Sequence, residues 1–559
     1  MKNCGVMNVC FIIYSFVLAA CSKKEAGSVV NSIPNGSSFN VLYTKVNGIN
    51  IEGSNNYNYP VNSNIKISFN DKIDKSTVTA INLSMNGGSA VSISYTYENN
   101  DSTVVVVPNA PLKYLSKYLI YIDNSVKSIA KAVLVNPVNA VFATQIDSSN
   151  KFPLLSDNAL LDTIQKRTFN YFWEFAHPVS GLARERNTSG DIVTSGGSGF
   201  GIMAIPVAIN RNFITRAEGL ARMQKIVTFL KNVAVKFHGV FPHWINGKTG
   251  TPIAFSPKDN GADLVETSFL MAGLLTARQY FDRNINEEIN LRTDINLLWN
   301  AVEWNWFRQS NQDVLYWHWS PNFNWEMNHK IDGWNECLIT YLLAASSNID
   351  SIPSVVYHKG FAKSGAIVTG NTYFNFQLPM GPSYGGPLFW SHYSFLGINP
   401  NGLKDRYADY QQQVVNHTKI NYTYCIQNPK NFFGYSSSCW GLTASDIPNG
   451  YAANDPANDI GVISPTAALS SFPYTPAESM QALKFFYYKL GDKIWTENGF
   501  MDAFSLKEGW YSGTTLAIDQ GPIIIMIENY RTQLIWNLLT SCPEVKRGMN
   551  NLGFTAPYL

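Results

Sequence analysis

The sequence predicts a small β-sandwich followed by a large, double-layered α/α barrel. At 559 residues the chain is too long for one ordinary hydrophobic core. Short runs of alternating apolar and polar residues occupy positions 40–145, whereas apolar residues recur at helical spacing beyond about position 155. Some of these helical segments are amphipathic and others are apolar nearly all round, as outer and inner helices of such a barrel would be.

The first 21 residues form a targeting segment. Lys2 precedes a short apolar stretch at 9–18, which is too short to span a bilayer, and Leu18-Ala19-Ala20-Cys21 resembles a bacterial lipoprotein signal. We therefore expect cleavage before Cys21, lipidation of Cys21 and a flexible tether over 22–38. The predicted location is the bacterial cell envelope, in the periplasm or at the outer-membrane surface, with membrane contact through the lipid only.

The predicted β-sandwich covers residues 39–148. Short alternating runs separated by Asn-Gly, Gly-Gly and Asn-Asn turns are typical of a sandwich of about a hundred residues. The stretches PVNSNIKISFNDKIDKSTV and YLIYIDNSVKSIAKAVL resemble bacterial Ig-like modules. Because the segment carries no cluster of acids, His or Cys, we interpret it as a spacer or a weak glycan-binding module. The predicted strands are 65–69, 91–95, 103–107, 118–122 and 141–143.

The predicted helical domain covers residues 155–559. Two long loops rich in Gly, Trp and Tyr, at 316–326 and 381–393, interrupt it, and loops of this length in a compact domain are usually functional. No repeat of 20–50 residues indicates a solenoid. The predicted helices are 160–175, 200–209, 216–235, 263–281, 289–306, 334–345, 403–415, 476–490 and 522–539.

Composition excludes several function classes. Charged residues make up 15% of the chain, aromatic residues 13%, and the net charge is +2, so electrostatics give no case for nucleic acid. A neutral ligand with apolar faces and many hydroxyls suits this composition better. The eight His and the Cys left after signal cleavage match no metal motif, so we predict no metal and no cofactor. Cys425 and Cys439 are the pair that an oxidising compartment would allow to bond.

Three acids begin the segment DNGADLVETSFLMAG. Asp259, Asp263 and Glu266 are spaced by four and three residues, which places them on one face of a helix. The apolar run that follows predicts a buried helix, so these acids indicate a pocket. The structural alternative is that they cap the helix and interact with its positive end.

Two further acids precede predicted helices. Glu336 lies in IDGWNECLITYLL, and Asp519 lies in LAIDQGPIIIMIENYR, in the loop before a helix that Pro522 begins. Inner helices of an α/α barrel start at one end, so these acids can converge there with the first three. Hydrolysis of a glycosidic bond needs one carboxylic acid to protonate the leaving oxygen and a second carboxylate to activate water or attack the sugar. For Glu336 and Asp519 too, capping and dipole stabilisation are the alternatives.

Aromatic residues in the loops support a sugar ligand. The apolar face of a pyranose packs on aromatic rings, and Asn, His and Arg bind its hydroxyls. Arg184, Arg186 and the run at 195–200 add cations and exposed backbone donors near a helix start, but the run lacks the Lys-Ser/Thr of a P-loop. The candidate rings are Trp317, His318, Trp319, Trp325, Trp334, Tyr384, Trp390, His392, Tyr393 and Trp440.

Five segments follow one another in the helical domain: TFNYFWEFAHPVSGLARER, SGGSGFGIMAIPVAINRNFITR, DNGADLVETSFLMAGLL, GWNECLITYLLA and AIDQGPIIIMIENYRTQLIW. They resemble the glucoamylase-like family, whose characterised branch is glycoside hydrolase family 144, the bacterial β-1,2-glucanases. The resemblance covers residues 155–559 and implies an (α/α)6 barrel. It also implies inverting hydrolysis of β-1,2-glucan, either endo or exo with release of sophorose. The older glucoamylase name leaves a different linkage open.

The resemblance also assigns roles. It implies that Glu336 is the general acid, that Asp519 is the first and Asp263 the second choice for the base, and that Asp259 and Glu266 hold the catalytic subsites or the water. It implies sugar contacts from Trp334, Arg184, Trp440, Tyr384 and Arg531, beside the loop residues Trp390 and His392.

Two other functions stay open. A non-catalytic glycan-binding surface lipoprotein needs the aromatic residues but not the acids. A polysaccharide lyase on the same fold needs a basic groove and a Tyr or His base, and the net charge of +2 argues against it. In every case we expect a monomer that binds an oligo- or polysaccharide.

Overall fold

The computed structural model describes residues 38–51, 56–85 and 88–559. The predicted signal, its lipidated Cys21 and residues 22–37 of the tether lie outside these residues. Within them, no helix combines the length and the apolar character that crossing a membrane requires.

The N-terminal domain consists of two antiparallel sheets packed face to face. One sheet has the order β2-β1-β3-β7-β6 and the other β5-β4-β8-β9. Residues that alternate along the strands, such as Ile65, Ile67 and Ile120, are buried between them and form a core of their own. The strands are β1 Val41–Val46, β2 Ile49–Asn50, β3 Ile65–Phe69, β4 Ile81–Met85, β5 Ser89–Ala90, β6 Ile93–Glu98, β7 Thr103–Pro108, β8 Lys117–Ile122 and β9 Val138–Ala143.

The C-terminal domain is largely helical, with short two- to four-residue strands in its loops. Its helices are α1 Asp157–Trp173, α2 Ser195–Asn210, α3 Arg216–Asn232, α4 Leu264–Tyr280, α5 Asn286–Asn300, α6 Leu338–Ser346, α7 Ser354–Val356, α8 Tyr410–Gln427, α9 Pro465–Leu469, α10 Pro476–Tyr488, α11 Gly491–Ile494, α12 Ala517–Thr532, α13 Leu534–Thr540 and α14 Pro543–Asn551. Its strands are β10 Ile192–Thr194, β11 Trp244–Asn246, β12 Pro252–Ile253, β13 Ala262–Asp263, β14 His318–Trp319, β15 Thr372–Tyr373, β16 Phe376–Gln377, β17 Ala444–Ile447, β18 Gly450–Ala453, β19 Trp495–Thr496, β20 Gly499–Phe500, β21 Phe504–Ser505 and β22 Trp510–Tyr511.

The helices form two layers. The inner helices α2, α4, α6, α9 and α12 are buried along most of their length, and α2 packs against both α4 and α12, while α6 packs against α4. The outer helices α1, α3, α5, α8 and α10 each keep an exposed face. The predicted fold class, an all-β Ig-like domain followed by a helical domain of the glucoamylase-like type, is confirmed.

Several helix starts differ from the prediction, and two of them show the reason. The Gly run at 195–200 was expected to expose backbone donors ahead of a helix, but it forms the buried first turns of α2. A helix expected from position 403 begins at Tyr410, where the Asp409 carboxylate accepts from the N–H of Gln412 and caps it. In both cases the tertiary contact or the cap, rather than periodicity, determines where the helix starts.

Glycines allow the first turns of α2 to pack closely against α4. A Cβ on Gly199 would lie 2.2 Å from the carbonyl oxygen of Phe269, and a Cβ on Gly273 would lie 2.3 Å from the carbonyl oxygen of Gly199. The backbones of α2 and α4 therefore approach more closely than any larger residue permits. The contact holds the starts of both helices side by side.

The β domain packs against the helical domain. The Tyr57 ring stacks on Phe433 at a centroid distance of 5.1 Å, and the Lys117 ammonium lies 3.1 Å from the Glu508 carboxylate. Leu115 and Ile146 pack against a buried cluster of the helical domain. The β domain therefore contacts the turn between β21 and β22.

The helix contact predicts the effect of two Gly→Ala substitutions on stability. We expect Gly199→Ala to lower the free energy of unfolding by about 1–3 kcal/mol, because the new methyl group meets backbone that cannot rotate away. Gly219→Ala in α3 is the control, since its Cβ meets the flexible Ile209 side chain and alanine favours the helix. Equal losses of stability in urea denaturation of the two variants would contradict this account.

Candidate active site

The candidate site lies where four inner helices begin. The N–H of Gly196 in the first turn of α2 donates to Glu266 in the first turn of α4, at 2.8 Å. Gly197 lies against Ala517, the first residue of α12. Asp519 is in the first turn of α12 and Glu336 is two residues ahead of α6. The convergence of acids that the sequence predicts at one end of the barrel is thus present in the structure.

Asp263 and Glu266 are held by hydrogen bonds. One oxygen of Asp263 accepts from the N–H groups of Val265 and Glu266, which caps α4, and its other oxygen lies 3.0 Å from His243 Nδ1. Glu266 Oε2 accepts from Gly196 and, at 3.2 Å, from the Thr194 hydroxyl. The capping alternative is thus realised for Asp263, which has both oxygens engaged.

Two histidines balance the charge of these acids. Burial by itself lowers the pKa of His243, but the charge of Glu266 and the contact with Asp263 raise this pKa to about 9. His318 Nε2 lies 3.3 Å from Asp259 and 3.7 Å from Asp263. Burial raises the pKa of Asp263, yet its bond to His243 and the charge of His318 lower it overall. Asp263 is therefore a carboxylate at neutral pH.

His243, Asp259 and Asp263 also have a spacing that suits a cation. One ligand atom from each lies within 4.8 Å of the others. The elevated pKa of His243 favours an imidazolium there, which counters the carboxylates without a metal. The expected absence of a metal stays a prediction.

Glu336 has the properties of a proton donor. Its side chain keeps part of its surface exposed, although it is surrounded by protein atoms. Desolvation, together with the charges of Glu266 and Asp263, raises the pKa of Glu336 to about 7. Its backbone is fixed because the Ser394 hydroxyl donates to the Glu336 carbonyl. A substrate can therefore reach a carboxyl group that is substantially protonated at neutral pH.

Asp519 faces a second buried acid, Asp502. Each side chain is 1% exposed. Burial raises the pKa of Asp519 well above its usual range, and the charge of Asp502 and a hydrogen bond to it act in the same direction. Burial also raises the pKa of Asp502, to about 7. The buried pair therefore retains a proton at neutral pH.

Asp446 and Arg186 fix the position of this pair. The N–H of Asp446 donates to Asp502 at 2.6 Å. The Asp446 carboxylate accepts from Arg186 at 3.1 and 3.2 Å and from the Thr514 hydroxyl at 2.5 Å. The positive charge of Arg186 is thus separated from the acid pair by Asp446 alone. Through Asp446 the pair is also joined to Thr514, in the loop ahead of α12.

Tyr393 is close to both groups of acids. Burial raises its pKa first, and the charges of Asp519, Glu336 and Asp502 add to that increase. The ring also contacts Phe200 of α2 and Phe269 of α4. Glu336 and Asp519 therefore both act on one buried hydroxyl group.

Asp519 and four predicted sugar contacts lie elsewhere than expected. Asp519 is inside α12 and not in the preceding loop, since the helix starts a turn before Pro522, where the N–H of Ala517 donates to the Glu185 carbonyl. Arg531 is about 18 Å further along the same helix and pairs with Asp162. The other three are core residues with little exposed surface: Trp334 at 5%, Trp440 at 0% and His392 at 1%.

The three remaining predicted contacts are partly exposed. The Arg184 guanidinium stacks over the Phe175 ring, and its neighbour Arg186, rather than Arg184 itself, reaches the acid network. Tyr384 packs against Tyr373, at a centroid distance of 4.5 Å. Trp390 is half-buried beside Gly386. Their part in sugar binding stays a prediction.

Several residues of the site were not predicted from the sequence. They lie in segments outside the motifs that contain the predicted acids, and they match no sequence motif themselves. Only their proximity in the folded chain identifies them. They are His243, Asp446, Tyr451 and Asp502.

The proton retained by the pair predicts a pH-dependent stability difference for Asp502→Asn. The Asp502 carboxyl group loses its proton near pH 4 in the unfolded chain but only near pH 7 in the folded chain, so its ionisation destabilises the parent increasingly as pH rises through that window. The amide of the variant can donate to Asp519 and removes the effect. We expect the unfolding temperature of the variant to increase relative to that of the parent as pH rises from about 4 to about 7.

The control is Asp123→Asn at the exposed end of β8. Hydrogen bonds from Ser125 lower the pKa of Asp123, so its removal should act in the opposite direction as pH rises. A constant difference between Asp502→Asn and the parent across the window would disprove proton retention by the pair.

Comparisons with known proteins agree with this architecture. The family model Glycoamylase ("Putative glucoamylase") matches residues 328–543, and the bacterial Ig-like domain model Big_5 matches residues 46–144. A curated relative from Parabacteroides distasonis, an exo β-1,2-glucooligosaccharide sophorohydrolase (non-reducing end), is 46% identical over 432 residues. That match covers 73% of this chain and 60% of the relative, so the chain spans less than two thirds of that protein.

Two solved structures extend the likeness. The endo-β-1,2-glucanase from Chitinophaga pinensis, in complex with sophorotriose and glucose, is 52% identical, with a TM-score of 0.71. The likeness covers 73% of this chain and 100% of that one. A β-1,2-glucanase from Parabacteroides distasonis is 37% identical, covering 94% of this chain and 74% of its own, with a TM-score of 0.70. The chain therefore belongs to the glucoamylase-like family of the glycoside hydrolase family 144 type, and it carries an N-terminal bacterial Ig-like domain.

Proposed function

We propose that this chain hydrolyses β-1,2-glucan with inversion of the anomeric centre. The observation that carries the proposal is the presence of two unlike acids near one tyrosine, Tyr393: Glu336 is accessible and has a pKa of about 7, and Asp519 is buried. Family relatives that act on β-1,2-glucan or its oligosaccharides support the choice of linkage.

Glu336 is the proposed general acid. It transfers its proton to the glycosidic oxygen as the bond to the anomeric carbon breaks, which releases a neutral hydroxyl on the leaving sugar. The neighbouring charges of Glu266 and Asp263 keep this proton bound up to about pH 7. They also lie near the positive charge that develops on the sugar ring in the transition state.

Asp519 is the proposed base, acting as one unit with Asp502. The pair holds one proton and one negative charge at neutral pH. This proton moves to Asp502, and Asp519 accepts the proton of the attacking water when the new C–O bond forms. Asp263 is a poorer base because both of its oxygens are already engaged with backbone N–H groups and His243.

Removal of the proposed acid predicts a large loss of rate. Glu336→Gln should lower kcat on β-1,2-glucan by about 10²–10⁴-fold, because the amide has no proton to transfer to a poor leaving group. Glu326→Gln is the matched control, since that carboxylate is exposed and pairs with Lys258. In the parent, kcat should fall as pH rises through about 7, where Glu336 loses its proton. Full activity of Glu336→Gln would refute the assignment.

The products test the substrate and the stereochemistry. We expect the chain to degrade linear β-1,2-glucan and to release the α-anomer first, as detected by NMR, because one inversion converts a β-linkage into an α-product. Size separation over time distinguishes the two modes of action: sophorose from the start indicates exo cleavage, and a ladder of oligomers indicates endo cleavage. Release of the β-anomer first would exclude inversion, and intact glucan would exclude the linkage.

Two other outcomes would indicate one of the alternative functions. An unsaturated product with growing ultraviolet absorbance would indicate a lyase. Binding of the glucan without any turnover by the parent would indicate a glycan-binding lipoprotein.

A further inference from the structure

Tyr451 lies on a hairpin beside the acid pair. The hairpin consists of β17 and β18, and its antiparallel register sets Tyr451 directly opposite Asp446. Directly opposed side chains project from the same face of a sheet, with Cβ atoms about 4.5–5.5 Å apart. Because the Asp446 carboxylate binds Arg186 and its N–H binds Asp502, this face is the one turned towards the acid network.

The exposure of Tyr451 contrasts with that of its neighbours. Its side chain is 49% exposed, whereas Asp446 is 7% exposed and Asp502 and Asp519 are 1% exposed each. The surrounding protein, and then the charges of Asp519, Asp502 and Asp446, raise the pKa of the Tyr451 hydroxyl. The ring of Tyr451 therefore has one end near the buried acids and a large surface open to solvent.

Tyr451 is also close to Tyr393. Its charge contributes to the increase in the pKa of Tyr393, after burial and the charge of Asp519. The Tyr451 ring is thus near the tyrosine on which the charges of both Glu336 and Asp519 act. No described ring contact covers the ring face of Tyr451, in contrast to Trp334, Trp440 and His392, which are packed in the core.

We propose that Tyr451 is a specificity-determining platform, on which a glucosyl unit of the β-1,2-glucan packs at the Asp519 side of the site. The inference rests on the proposed function and identifies one of its sugar contacts. The C–H face of a pyranose packs on an aromatic ring, and burial of that apolar area favours binding. The register opposite Asp446 places the ring on the face of the hairpin that is turned towards the acid pair.

A sugar contact and a structural role of Tyr451 predict different changes in KM, kcat and stability. An aromatic residue in a two-stranded hairpin also supports strand formation, and loss of that support would lower stability and kcat. A sugar platform contributes to binding of substrate and transition state alike, so its removal raises KM and leaves kcat nearly unchanged.

The test compares Tyr451→Ala, Tyr451→Val and Tyr451→Phe in the full chain. We expect KM for β-1,2-glucan oligosaccharides to rise about tenfold in the Ala and Val variants, and to stay within about twofold of the parent in the Phe variant, which keeps the ring. The kcat should change less than about threefold in all three. Valine retains the strand preference, so an equal KM in the Ala and Val variants separates loss of the ring from loss of the hairpin.

Tyr530→Ala is the matched control. Tyr530 is 44% exposed and lies on α12, about 16 Å along the helix from Asp519, so its removal should leave KM unchanged. Calorimetric binding of sophorotriose to Glu336→Gln, with and without Tyr451→Val, gives a second measurement in which no turnover occurs. We expect about tenfold weaker binding when the ring is absent.

The outcomes separate this inference from the proposed function. If the parent hydrolyses the glucan and the Ala and Val variants keep its KM, the platform is excluded while the function stands. A loss of kcat and of stability with unchanged KM would also exclude it and would indicate a structural role. If the parent neither hydrolyses the glucan nor binds sophorotriose, both proposals fall.

Discussion

The close contact between α2 and α4 determines the geometry of the candidate site. Only glycine at positions 199 and 273 allows the two backbones to approach this closely. The same approach brings the Gly196 N–H within 2.8 Å of Glu266, so the start of one inner helix supplies a hydrogen bond to an acid on the next. The positive ends of several helices then meet at one place, which is the electrostatic environment in which many carboxyl groups can be buried together.

Two different solutions keep those carboxyl groups buried. On the α4 side, helix capping and two histidines stabilise the charged form of Asp263. On the α12 side no cation contacts Asp519 among the described residues, and the pair with Asp502 retains a proton instead. Glu336 differs from both: it is partly exposed, and its pKa is about 7. Environments that push the pKa values of neighbouring acids apart are what an acid–base mechanism requires.

The β domain is connected to this arrangement through one hairpin. Lys117 contacts Glu508 in the turn between β21 and β22, while Asp502 lies two residues ahead of β21. Thr514, which follows β22, donates to Asp446 in the network that holds Asp502. A domain that the sequence suggested to be a spacer therefore packs against the segment that supplies half of the acid pair.

Sequence alone determined the order of the two domains, the inner and outer helices and the identity of the acids at helix starts, because all of these are encoded by local periodicity and motifs. Tertiary structure decided which aromatic residues are accessible: Trp334 and Trp440 are in the core, whereas Tyr451 is exposed. It also decided that Arg186 and not Arg184 meets the acids, and that Asp502 accompanies Asp519. These contacts join residues that are more than fifty positions apart or separated by a hairpin. Local sequence patterns do not encode contacts between such residues.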